Sequence, residues 1–74
     1  MAEPARRAIE TLEIDLLLEA VARHHGFDFR DYAQPSLKRR IWKRIYAEGL
    51  STVSGLLEKV LHDPASMERL QRHA

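Results

Sequence analysis

Apolar residues recur along this chain at the three-and-four spacing of helices, and nowhere do they alternate as in strands. Ile14, Leu17, Leu18, Val21 and His25 form one stripe between residues 12 and 25. Gly26 supplies a left-handed stop, with Arg23, His24 and His25 in the last turn, where positive charge suits the helix dipole. Residues 1–11, with Pro4 and Arg6–Arg7, are either a tail or a polar extension of this helix. GFDFRDYAQ follows, and Phe27, Phe29 and Tyr32 are too apolar for solvent, so they are expected to plug the space between helices.

A second helix is predicted from about Ser36 to Glu48. Its start is marked twice, by an Asp31–Gln34 capping box and by Pro35–Ser36. Glu48-Gly49-Leu50 reads as a glycine stop with an apolar residue folding back. Ser51 is the expected cap of a third helix carrying Val53, Leu56, Leu57, Val60 and Leu61, in which Gly55 costs about 1 kcal/mol against alanine. Asp63–Pro64 ends that helix and caps a fourth, with Met67 and Leu70 on one side. The fold class is therefore all-α, a small bundle of three to four helices, with residues 12–74 as the domain.

Seventy-four residues allow one domain with a small core, and the absence of cysteine excludes a disulfide framework or thiolate metal site. No long apolar run suggests a signal peptide or membrane span, so a cytoplasmic location is expected. Net charge is +1, but Lys38, Arg39, Arg40, Lys43 and Arg44 lie in a single heptad, and without them the chain would carry −4. Basicity is concentrated on one helix.

On a helical wheel Leu37, Ile41, Trp42 and Ile45 fill one arc, with Tyr46 at its edge. Arg39, Arg40, Lys43 and Arg44 fill the other. Lys38 falls among the apolar positions and is left without an explanation. Arg39–Lys43 and Arg40–Arg44 are like-charge i,i+4 pairs, each destabilising by about 0.2–0.5 kcal/mol. A sequence selected for stability alone would intersperse glutamate, so this face is expected to bind an acidic partner. Trp42 and Tyr46 are assigned to packing, with Tyr46 the nearer to the surface.

Catalytic chemistry is not expected from this chain alone. The serines have no G-x-S-x-G setting and the three glycines stand apart, so neither a nucleophile elbow nor a phosphate loop is present. His24 and His25 are adjacent and diverge by about 100°, which is unsuited to shared metal ligation; no metal ligands are assigned. His25 is expected at the core boundary and His24 in solvent. Nucleic-acid binding is disfavoured by the low net charge, although a small nucleic-acid- or ligand-binding module using the same helix is the alternative.

Taken together, LLEAVARHHGFDFRDYAQPSLKRRIWKRIYAEGLSTVSGLLEKVLHDP resembles the all-helical N-terminal domain of CheR-type chemotaxis receptor methyltransferases. The motif is an amphipathic helix, a glycine with aromatic neighbours, the Arg40-Ile41-Trp42-Lys43-Arg44 core, the Glu48-Gly49-Leu50 stop and a capped leucine-rich helix. The resemblance implies part of a protein-glutamate O-methyltransferase, which uses S-adenosylmethionine bound by a separate catalytic domain. It also implies acidic chemoreceptor helices as partners and Arg39, Arg40, Lys43 and Arg44 as substrate-facing residues. Where many members have a lysine before the basic helix, this chain has Tyr32-Ala33. The chain stops short of the family's Asn-x-Thr-x-x-Phe-Arg cofactor segment, so no cofactor-binding residue is assigned to it and an isolated recognition domain is expected.

Overall fold

Four helices follow one another: α1 (Ala2–His25), α2 (Gln34–Ala47), α3 (Val53–His62) and α4 (Pro64–Arg72). The structure, a computed structural model, describes residues 2–29 and 32–72, with side chains from Arg7 onward. Among the described residues there is no strand, as the periodicity requires.

Residues 2–11 are helical and belong to α1. Among its described side chains the first buried is Ile14, followed by Leu17 and Val21, with Leu18 packed at the margin. His25 sits at the core boundary and its Nε2 donates to the Val60 carbonyl at 2.7 Å, joining the end of α1 to α3. Gly26 ends the helix at φ 72°, the conformation for which a residue without Cβ is suited. His24 is exposed.

Phe29 is buried, with Phe27 at 4.6 Å and Tyr32 at 5.4 Å between ring centroids, so the aromatic connection fills the gap between α1 and α2. The start of α2 departs from expectation. Ala33 occupies the cap position with no side-chain hydrogen bond, Pro35 lies in the first turn, and Ser36 is already inside the helix. Asp31 lies outside the described residues.

The far end of α2 is a two-bond glycine stop: Leu50 N donates to the Ile45 carbonyl at 2.9 Å and Gly49 N to Tyr46 at 3.1 Å, with Gly49 at φ 75°. The expected Ser51 cap is corrected to Thr52. Thr52 has extended backbone, and its hydroxyl oxygen accepts from Gly55 N at 2.9 Å, while Ser51 is exposed. Gly55 has a local reason, because a Cβ there would stand 3.1 Å from that same hydroxyl oxygen. Asp63 caps α4 as expected, its carboxylate accepting from Ala65 N at 3.0 Å ahead of Pro64.

The core joins Ile14, Leu17 and Val21 of α1 to Leu37, Ile41 and Ile45 of α2, Val53, Leu56 and Val60 of α3, and Met67 and Leu70 of α4. α3 is central, touching all three other helices, and α4 also packs on α2. This arrangement fixes which sides of the basic helix are covered. One side faces α3, one flank faces α4, and the opposite flank faces the first half of α1.

Candidate docking surface on the basic helix

The five cations of α2 divide by what lies opposite them, beginning with those that are not free. Arg40, expected to face solvent, is buried at 9% exposure. Its Nε donates to the Leu70 carbonyl at 2.9 Å and its Nη2 to Leu70 at 2.6 Å and to Gln71. These carbonyls belong to the last turn of α4, where no intrahelical donor remains and the helix dipole is negative. A planar guanidinium can serve two such carbonyls at once, and it also lies 5.3 Å from the Tyr32 ring centroid and 5.7 Å from that of Phe29. Arg40 is the C-terminal cap of another helix.

Arg44 also turns toward α4. Its Nη2 donates to Glu48 Oε2 at 2.8 Å, and the same carboxylate receives Arg69 Nε at 2.6 Å, Arg69 Nη2 at 2.8 Å and Lys59 Nζ at 3.2 Å. The Glu48 side chain is only 4% exposed, and three cations from three helices converge on it. Hydrogen bonding from Arg69, with further bonds from Arg44 and Lys59, holds its carboxyl well below the usual carboxylate range despite burial. The Arg69 guanidinium is raised in turn by its bond to Glu48. Arg44 therefore ties α2 to the rest of the bundle.

Lys38, unexplained by sequence, has a partner on α1. Its Nζ lies 2.8 Å from Glu10 Oε1, while Trp42 Nε1 donates to Glu10 Oε2 at 2.8 Å. Lys38 is the leading cause that lowers the Glu10 carboxyl. One carboxylate thus gathers two α2 side chains one turn apart.

Arg39 and Lys43 remain. Both are exposed, and neither has an acceptor among the described residues. They stand one turn apart, about 6 Å along the axis. Ser36 continues their line at one end and Ala47 at the other, both small and exposed, and Tyr46 borders it at 71% exposure, its ring 5.7 Å from Trp42. Residues 36, 39, 43 and 47, spaced by three, four and four, form one stripe along which a second helix can lie. The like-charge penalty inferred for two pairs survives only at Arg39–Lys43, because Arg40 and Arg44 have acceptors.

The site can hold anionic groups by charge and hydrogen bonding. It carries no acid–base pair or nucleophile aimed at a common point, and no cluster of metal-ligating side chains occurs among the described residues. Glycines 26 and 49 end helices and Gly55 accommodates a cap, so the described residues form no glycine-rich loop. The clefts beside α1, of 610 and 360 Å³, are open and rimmed by acids such as Asp15. None of the described helices is long and apolar enough to cross a membrane.

Sequence reasoning missed the two acids that sort the cations. Arg44–Glu48 was legible as an i,i+4 pair, whereas Glu10 lies 28 residues before Lys38 and gave no signal.

Comparison with known proteins agrees with this architecture. The family described as CheR methyltransferase, all-alpha domain, matches residues 12–73. A Pseudomonas putida protein that carries a methyltransferase name, Cher3, is 42% identical over 62 residues, covering 84% of this chain and 23% of that protein. The chain thus spans about a quarter of that relative's length. No solved structure is significantly similar.

Proposed function

Because the chain belongs to the family of CheR methyltransferase all-alpha domains, we propose that it is the substrate-recognition and regulatory part of a cytoplasmic protein-glutamate O-methyltransferase. In this reading the enzyme modifies glutamates on the acidic cytoplasmic helices of chemoreceptors during chemotaxis signalling. The methyl donor, S-adenosylmethionine, belongs to a catalytic domain that would also contact this one. The present residues dock the substrate and perform no bond chemistry.

One observation carries this reading: Arg39 and Lys43 are the exposed cations of α2 without an acceptor among the described residues, set on a straight seam with small residues at both ends. A neighbouring helix with carboxylates one turn apart would meet both, and close approach at Ser36 and Ala47 would bring Tyr46 against its apolar side. Charge of this kind at a rim acts chiefly on encounter and orientation. Two free cations are a small footprint for a phosphate backbone, where binding normally rests on several neutralised phosphates.

The test is Arg39→Glu with Lys43→Glu in the full-length enzyme. Receptor methylation, read as kcat/KM, is expected to fall by at least about tenfold, equivalent to about 1.4 kcal/mol, while cofactor affinity is retained. Unchanged methylation would end the docking role. Arg40 and Arg44 are unsuitable for this test, because reversing either charge strikes the bundle itself.

A further inference from the structure

The first half of α1 is fastened in an unusual way. Arg7, Ala8, Ile9, Glu10, Thr11, Leu12 and Glu13 contribute no buried side chain; Ile9 and Leu12 are both 58% exposed, and the core begins at Ile14. Residues 2–11 also precede the span matched by the family, residues 12–73. Yet Glu10, in this segment, reaches both Lys38 and Trp42 of the basic helix. Just beyond that contact α1 and α2 stand apart around the 360 Å³ cleft, which Thr11, Asp15 and Pro35 help to line. The hold of this segment on α2 is thus polar, one carboxylate of α1 lying against the cationic helix.

We propose that the opening turns of α1 form a removable arm whose Glu10 stands in for a partner's carboxylate on α2, so that its release adds Lys38 and Trp42 to the docking strip. This rests on the docking role of Arg39 and Lys43 and supplies its regulation. Lys38 is the residue before Arg39 in sequence and Trp42 the residue before Lys43, so both border the free seam on its α1 side. With the arm seated, Lys38 is neutralised and the indole N–H is occupied. With the arm released, three cations and an indole donor face the partner, and the partner's carboxylate takes the place of Glu10. The exchange is between like interactions, so modest forces decide it: an exposed pair such as Lys38–Glu10 is screened by salt, and Lys38 is 54% exposed.

The chain has a single tryptophan, so Trp42 reports the arm directly. The experiment measures the affinity of the 74-residue chain for a helical peptide with two glutamates one turn apart, alongside Trp42 emission. Glu10→Gln is compared with Glu58→Gln, which changes net charge equally at an exposed α3 position. Glu10→Gln is expected to red-shift the emission and to tighten peptide binding by about three- to tenfold, which corresponds to about 1 kcal/mol; Glu58→Gln should do neither. Adding Lys38→Gln to Glu10→Gln should abolish the gain.

If the wild-type chain binds the peptide but Glu10→Gln binds no better than Glu58→Gln, the arm is refuted and the docking reading stands. If neither wild type nor Glu10→Gln binds, the docking reading fails and the arm's role fails with it. If emission shifts and affinity rises but Lys38→Gln leaves the gain intact, the Lys38 handover is overturned.

Discussion

Replacing Arg40 should cost stability and not recognition, the opposite of what its place in a basic run suggests. In Arg40→Ala two carbonyls at the end of α4 lose their donors. A hydrogen bond to a charged group is worth about 1.5–3 kcal/mol, and the Tyr32 and Phe29 faces add about 0.5–1 kcal/mol. Against this stand relief of guanidinium desolvation and the ability of water to reach Gln71, which is exposed. The balance is a loss of about 2–4 kcal/mol by these magnitudes. A domain of 74 residues commands a total of only about 4–11 kcal/mol at the usual stability per residue. At roughly 4–8 °C per kcal/mol for a domain of this size, Tm should drop by about 8–32 °C. Urea unfolding followed by far-UV circular dichroism measures it as a lowered midpoint at constant slope. Arg40→Lys, which keeps the charge but cannot fork between two carbonyls, should fall between alanine and wild type. A midpoint for Arg40→Ala within about 0.5 kcal/mol of wild type would refute the reasoning, as would an Arg40→Lys variant as stable as the parent.

Three further outcomes follow from the same contacts. Glu48→Ala would leave Arg44, Lys59 and Arg69 facing one another across a vacated carboxylate, and should destabilise by about 3 kcal/mol, measured by the same denaturation. Because the folded Glu48 carboxyl is held below its ordinary value of 4.5, its contribution is fully present above that pH and is lost as pH falls below it. Acid titration of Tm should therefore show wild type losing stability below about pH 4.5, with Glu48→Gln flatter there. Thr52→Ala should cost about 1 kcal/mol in the same melts, while Ser51→Ala stays near wild type; the reverse ranking would move the cap back to Ser51.

Much of the fold could be read because its signals were local. The Leu17–Val21 stripe, the Gly26 and Gly49 stops and the Asp63–Pro64 start each depend on residues within one or two turns, and each lies where the pattern put it. Ser51 and Thr52 are equivalent to a sequence reader, and only the backbone angles of Thr52 separate them. The site was harder. Wheel geometry placed Arg40 and Arg44 opposite Ile45, but a wheel knows one helix and not its neighbours. Arg40 is fixed by carbonyls 30 and 31 residues away, and Lys38 by a carboxylate 28 residues before it. Of the four residues proposed from sequence as substrate-facing, Arg39 and Lys43 keep an open face, a division that local pattern could have made for Arg44, through its i,i+4 partner Glu48, but not for Arg40.

The pairing of α2 with α4 has a consequence for how the domain comes apart. α3 and α4 have 10 and 9 residues, below the ~12–15 at which an isolated helix is marginally stable in water. Arg40 grips the end of α4, while Glu48 grips Arg69, and the chain between these points passes through α3. The two grips close a non-covalent ring around α3. A ring cannot lose one segment at a time without opening somewhere, so neither short helix can peel away at its own small cost. The C-terminal half should melt as one unit, which gives a small domain the sharp cooperativity that its helices, taken singly, would lack.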